Sequence, residues 1–202
     1  RQRMTELLAD GDSFERMIGN YDPPQGNPRF LRAMADLLKH TFGWEVGPQN
    51  LAVTCGGQTA FFYLFNLLAG KFGDGKRKKV LLPLSPEYIG YADQGLDEGL
   101  FVACRPCITW PQGEQARIFK YSIDFEAVEA VLARGEIALI AVSRPTNPTG
   151  NVHTDEEIRS LAALAESFGI PLVIDNAYGA PFPNVIFTDA THQAARDLHA
   201  DT

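Results

Sequence analysis

Four stretches of this 202-residue chain set polar or aromatic side chains beside apolar runs. Asp175-Asn-Ala-Tyr178 follows directly on Leu172-Val-Ile174. A carboxylate ending a buried strand is costly unless it meets a positive charge, and a protonated ring nitrogen would supply one. Ser143-Arg-Pro-Thr-Asn-Pro-Thr-Gly150 follows a longer apolar run, and its prolines and glycine fix a turn that presents the Asn147 amide as a donor. Asn147 precedes a proline, so Asn147-Pro-Thr149 is no glycosylation site. In Thr54-Cys-Gly-Gly-Gln-Thr-Ala60, a glycine turn opens an apolar stretch, where backbone N–H groups at a helix start could meet an anion. The same residues suit a plain strand-to-helix turn. They form neither a dinucleotide fingerprint nor a triphosphate loop, since no Lys-Ser/Thr follows. Ser85-Pro-Glu-Tyr-Ile-Gly-Tyr91 offers aromatic faces on which a flat heteroaromatic ligand could stack, although a tyrosine packed under a loop reads the same way.

For these stretches to converge, each should sit at the end of a strand of one sheet, because open α/β sheets bind ligands at the carboxyl ends of their strands. The hydrophobic pattern predicts such a sheet. Leu51–Thr54, Val80–Leu84, Leu100–Cys104, Ile137–Val142 and Pro171–Asp175 read as strands, the last two as continuous apolar runs covered on both faces. Helices alternate with them. Asn27 and Pro28 open one that Gly43 stops, and another runs from Gln58 to Phe72. Tyr88 to Glu98 suits a short helix, Asp124 to Leu132 a further one, and Thr154-Asp-Glu-Glu157 is a capping box opening a helix to Phe168. Residues 1–20 read as short helical turns broken at Asp10-Gly11-Asp12, Tyr21–Pro28 as a loop, and 108–120 as an excursion or hairpin. The alternation predicts an α/β fold, helices on both faces of a mostly parallel sheet.

Composition removes other classes of function. Eighteen basic against twenty-five acidic residues give a formal charge of −7, which argues against nucleic-acid binding. The one basic run, Lys76–Lys79, follows Gly73-Asp74-Gly75 and reads as a solvated loop tip. Cys104-Arg-Pro-Cys107 ends an apolar run instead of opening a helix, where the dipole would lower a thiol pKa. It lacks a second pair of zinc ligands, because the histidines are scattered at 40, 153, 192 and 199. Ala60–Ala69 is too short to span a bilayer. With three cysteines and no leader pattern, the expected address is cytoplasmic and no membrane partner is expected.

Asn147-Pro-Thr-Gly150 followed by Asp175-Asn-Ala-Tyr178 resembles the class I/II pyridoxal-phosphate aminotransferases of fold type I. Tyr21-Asp-Pro-Pro-Gln-Gly26, Thr54–Phe62 and Ile174–Pro183 look like the branch that exchanges an amino group between valine, or a similar neutral amino acid, and pyruvate. The resemblance spans residues 15–187. It implies a three-layer α/β/α fold, pyridoxal 5'-phosphate as cofactor, amino-acid and 2-oxo-acid substrates, and a homodimer. It also implies residue roles. Asp175 would pair with the pyridinium nitrogen, Asn147 and Tyr178 would hydrogen-bond the ring's phenolic oxygen, and Tyr88 would stack on the ring. Gly57 and Gln58 would cradle the phosphate, which Tyr21 would reach from the neighbouring subunit.

The family's Schiff-base lysine lies beyond the Asp-x-x-Tyr motif, in a Ser-x-Ser-Lys-like stretch. The six lysines here, at 39, 71, 76, 78, 79 and 120, all precede Asn147. The family's substrate-carboxylate arginine is missing too, and Thr188–Thr202 no longer resembles the family. The expected organisation is therefore partial: 1–20 a remnant of the N-terminal arm or small domain, 21–187 an incomplete cofactor-binding large domain, and 188–202 an atypical tail. Two functions follow from it: a central piece of an active aminotransferase, or an inactive cofactor-binding or structural module.

Overall fold

The computed structural model describes residues 1–178, apart from residue 112. The expected boundary at 187 and the tail 188–202 lie outside the described residues. The chain begins with two short helices, α1 (Gln2–Ala9) and α2 (Gly11–Gly19), neither of which buries a residue. Helix α3 (Pro28–Phe42) starts where the sequence reading puts it. Asn27 Oδ1 accepts the N–H groups of Arg29 and Phe30, Pro28 fills the first helical position, and Gly43 closes the helix in the left-handed conformation. Leu31, Ala35, Leu38 and Phe42 line its buried face.

The central sheet is built from β1 (Gly70–Lys71), β2 (Arg77–Leu82), β3 (Phe101–Ala103), β6 (Ile137–Ser143) and β7 (Leu172–Asp175). The order is β1-β2-β6-β7, with β3 also paired to β2. All pairings are parallel except the β1–β2 hairpin. Strands β4 (Cys107–Thr109) and β5 (Lys120–Ser122) form a separate antiparallel hairpin, the expected excursion. Period-2 alternation sends each strand's side chains to two cores. Val80, Leu139 and Ala141 pack with Phe65 and Ala69 of α4 (Gly57–Leu68) and its extension. Leu81, Ile140 and Val142 pack with Val128 and Leu132 of α5 (Phe125–Leu132) and with Ile158 and Leu161 of α6 (Asp155–Ser167). Three layers result, as expected. The predicted capping box is present: Thr154 Oγ1 accepts the Glu157 N–H at 3.1 Å, and Glu157 Oε2 accepts that of Thr154 at 2.7 Å.

Three local expectations are corrected. Leu51–Thr54 is extended but pairs with no strand among the described residues. Its Val53 N–H goes to the Gln25 carbonyl, Gln25 Nε2 donates to the Leu51 carbonyl, and Val53 is 44% exposed, so the segment braces the Tyr21–Pro28 loop. The basic run is only partly a loop tip. The tip is Gly73–Lys76, while Arg77–Lys79 begin β2, drawn in by pairing with β1 and by the Lys79 N–H bond to the Glu136 carbonyl. Tyr88–Glu98 holds just one 3-10 segment, Ile89–Gln94, because the Asn66 side chain pins the chain at Gln94 and Leu96.

Candidate active site

The loops after β2, β6 and β7 meet the start of α4 around a cleft of about 210 Å³ at the carboxyl end of the sheet. Gly57, Gln58, Tyr88, Asn147, Asp175 and Tyr178 all line it, together with Phe61, Ser143, Pro145 and Ala177. Tyr21, expected to act on a neighbouring subunit, is fully exposed and outside that lining. All six lysines lie outside the lining as well. Lys120 is engaged by Glu157, and Lys76–Lys79 stand at the opposite, starting end of β2.

Asp175 ends β7 in register with Ser143 of β6, and its carbonyl accepts the Arg144 N–H at 2.9 Å. Its carboxylate is fixed at both oxygens. Oδ2 accepts the Tyr91 hydroxyl at 2.7 Å and Oδ1 accepts the Ala177 N–H at 3.0 Å. Tyr91 is 1% exposed and packs edge-on against Tyr88 and Phe65. Burial, reinforced by the Asp175 carboxylate, pushes its phenol pKa well above the ordinary value, so the hydroxyl remains a donor.

Tyr88 forms a wall of the cleft. Its hydroxyl accepts from Gln58 Nε2 at 2.9 Å, and Gln58 Oε1 accepts from Gln94 Nε2 at 2.6 Å. The Gln58 side chain therefore braces the tyrosine, while its backbone N–H stands in the first turn of the helix that follows Gly56. Gly90 makes this close approach possible: a Cβ there would lie 2.5 Å from the Tyr88 ring and 2.6 Å from Gln58 Nε2. Across the cleft, Asn147 Nδ2 donates to the Tyr178 hydroxyl at 3.3 Å, which sets two donors side by side at one edge.

Helix α4 is preceded by Gly56, whose φ of 95° suits glycine, and it has no side-chain cap. The N–H groups of its first turn are left for solvent or a ligand, at the positive end of the helix dipole. A Cβ built on Gly57 would meet no atom of the described residues within 4 Å, so none of them packs over that position.

Beneath Asn147 lies a second carboxylate that sequence reasoning missed. Glu87 accepts the N–H groups of Tyr88 at 2.9 Å and Ser143 at 3.0 Å, and also pairs with Ser143 Oγ. Burial raises its pKa, the nearby Asp175 charge adds to the rise, and the Ser143 and Tyr88 contacts oppose it. A glutamate in a loop reads as solvated, so the sequence carried no signal for it. Tyr91 did carry one, its three-residue spacing from Tyr88, which a 3-10 turn sets on the same side. Behind the same loop His153 is fully buried, and burial lowers its pKa to about 4. Among the described residues no cluster of His, Cys, Asp and Glu could hold a metal, and Cys104 and Cys107 are free thiols, one buried and one exposed. No described helix is long and apolar enough to cross a membrane.

Layers, parallel sheet and strand-end cleft define the class: the fold of type I pyridoxal-phosphate transferases. The profile of the Aminotransferase class I and II family matches residues 10–195, and the chain belongs to that family. It is 54% identical over 188 residues to the valine–pyruvate aminotransferase of Escherichia coli K12, covering 93% of this chain and 43% of that protein. The crystal structure of a valine–pyruvate aminotransferase from Salmonella typhimurium LT2 superposes with a TM-score of 0.70 at 50% identity, over 93% of this chain and 44% of that one. The aspartate/prephenate aminotransferase of Thermus thermophilus is 31% identical over 78% of this chain and 37% of its own length. The chain thus spans less than half the length of these relatives.

Class I and II aminotransferases depend on pyridoxal phosphate, and the donor set here fits that group. A fixed carboxylate would face a protonated ring nitrogen, an aromatic wall the ring, paired donors its phenolic oxygen, and an uncapped helix start its phosphate.

Proposed function

We propose that the protein carrying this chain is an aminotransferase that moves an amino group between valine, or a similar neutral amino acid, and pyruvate, giving alanine and a 2-oxo acid. The observation that carries the reading is the Asp175 carboxylate, anchored by Tyr91 and Ala177 at the end of β7 and facing a cleft that Asn147, Tyr178, Tyr88 and Gly57 share. The substrate pair rests on the 54% identity to the Escherichia coli enzyme.

Pyridoxal phosphate, when bound, supplies an aldehyde carbon and a ring that withdraws electrons from it. Asp175 would hold a proton on the ring nitrogen, which keeps the ring an effective electron acceptor. Asn147 and Tyr178 would donate to the phenolic oxygen, and Tyr88 would cover one ring face and exclude water from it. The first-turn N–H groups of α4 at Gly57 and Gln58 would take the phosphate, with Tyr21 of a second copy reaching the same group in a homodimer. Residues 21–187 would form part of the large domain, 1–20 the remnant of an arm or small domain, and 188–202 a separate tail, in a cytoplasmic enzyme.

Every lysine precedes Asn147 and lies off the cleft, which favours a second reading for residues 1–202 by themselves. They bind the cofactor without a covalent bond and turn nothing over, because capture needs a lysine against the aldehyde. The test is to purify the complete gene product and the 202-residue chain, supply valine, pyruvate and pyridoxal phosphate, and measure alanine. The gene product is expected to form alanine in proportion to valine consumed, and the chain none. A gene product that binds the cofactor yet forms no alanine from valine refutes the proposed reaction, and turnover by residues 1–202 refutes the second reading.

A further inference from the structure

Glu87 is a half-buried carboxylate to which the proposed chemistry gives no task. Among the described residues no salt bridge pairs it with a cation. What it touches is instead the backbone and hydroxyl of two site loops. One oxygen accepts the Tyr88 N–H at 2.9 Å and meets Ser143 Oγ, while the other accepts the Ser143 N–H at 3.0 Å. Ser143 Oγ in turn accepts the Asn147 N–H at 3.3 Å. A single carboxylate therefore ties the loop after β2 to the last residue of β6, across 56 residues of sequence.

We propose that Glu87, acting through Ser143, is a positioning residue that holds Tyr88 and Asn147 in register with each other across the cleft. The inference rests on the proposed cofactor site, since those two side chains are assigned there to the ring face and the phenolic oxygen. Both oxygens serve as acceptors, one for the Tyr88 N–H and the other for the Ser143 N–H, with the Ser143 hydroxyl completing the set. An amide at this position presents an NH₂ to one of those donors and leaves it unpaired. Hydrogen bonds are directional where apolar packing is not, so these contacts fix register as well as proximity.

The test is a double-substitution cycle on the 202-residue chain, read as equilibrium affinity for pyridoxal phosphate, with circular dichroism confirming that each variant is folded. Glu87→Gln is expected to weaken binding about tenfold, as for loss of a hydrogen bond to a charged group. In an Asn147→Ala background the same change is expected to cost no more than about threefold, because only Tyr88 remains to be misplaced. Ser143→Ala, which deletes only the hydroxyl, should show the same coupling with Asn147→Ala, and it replaces Glu87→Gln if that variant fails to fold. Unchanged affinity in Glu87→Gln, or equal losses in both backgrounds, overturns the positioning role and leaves the cofactor site standing. An unsubstituted chain that does not bind pyridoxal phosphate overturns both.

Discussion

The two ends of the central sheet handle their polar groups in opposite ways. At the starting end, Lys76 pairs with Asp74, Lys79 with Glu136, and Lys78 donates to the Gly135 carbonyl, mostly on solvated surface. At the carboxyl end, Asp175, Glu87, Ser143 and Tyr91 are partly or wholly out of water, and their partners lie 56 and 84 residues away in sequence. Exposed ion pairs contribute little because water competes for both charges. Desolvated groups fixed from several elements are costly to misplace, and such an arrangement pre-sets charges for a ligand. Substitutions should therefore act strongly at one end of the sheet and weakly at the other.

The largest effect is expected for Asp175→Ala in the complete gene product. In the proposed role, Asp175 makes a charge-assisted contact to the reacting ring, and losing it would cost about 3–4 kcal/mol of transition-state stabilisation, a few hundredfold in rate. Steady-state transamination assays measure it, and retention of half the parent rate contradicts the role given to Asp175. Tyr91→Phe should follow. It keeps the packing against Tyr88 and Phe65 but removes one hydrogen bond to a carboxylate, worth about 1.5–3 kcal/mol, so cofactor affinity should fall tenfold or more. Dialysis against cofactor-free buffer reads this out, and equal retention means that Tyr91 does not hold Asp175 for the ring.

A smaller effect is expected from acid. His153 packs behind the Asn147 loop with Glu157, Lys120 and Arg144 around it, and burial holds it neutral down to about pH 4. Unfolded, it takes up a proton near pH 6.5. The unfolded chain thus binds more protons between those values, and stability falls as pH drops from about 6.5 towards 4, by on the order of 1 kcal/mol per pH unit at most. Glu157 acts in the same sense. Burial pushes its pKa up, but the Thr154 and Ile123 N–H groups and Lys120 outweigh it, so the folded state favours the ion that acid removes. Thermal melts at pH 7 and pH 5 should differ accordingly, and the difference should shrink in His153→Gln. An equal difference in that variant removes His153 from the account. At the opposite end of the sheet, Lys79→Ala should change stability by less than about 0.5 kcal/mol and cofactor affinity not at all. A large loss there breaks the contrast between the two ends.

Sequence legibility follows the same division. Helix α3 and the Thr154 capping box were readable because caps and 3.6-residue periodicity are local codes, complete within a few residues. Strands β6 and β7 were readable because burial on both faces leaves an unbroken apolar run. Asp175 stood out as a charge at the end of such a run. Leu51–Thr54 misled because it has the composition of a strand, while its hydrogen bonds go to the Gln25 loop. The Tyr91–Asp175 and Glu87–Ser143 contacts were not legible, since neither partner carries a local mark of the other. Nor was the bracing of Tyr88 by the Gln58 side chain, with Gln94 behind it, legible, since it depends on the close approach that Gly90 permits.

The most direct test of the central claim, that the carboxyl end of the sheet is the cofactor site, is an NMR titration of the 202-residue chain with pyridoxal phosphate. The account predicts saturable shifts of the Gly57, Gln58, Asn147 and Tyr178 amides, with those of Lys76–Lys79 unmoved. Shifts confined to Lys76–Lys79, or none at any of these residues, would contradict it.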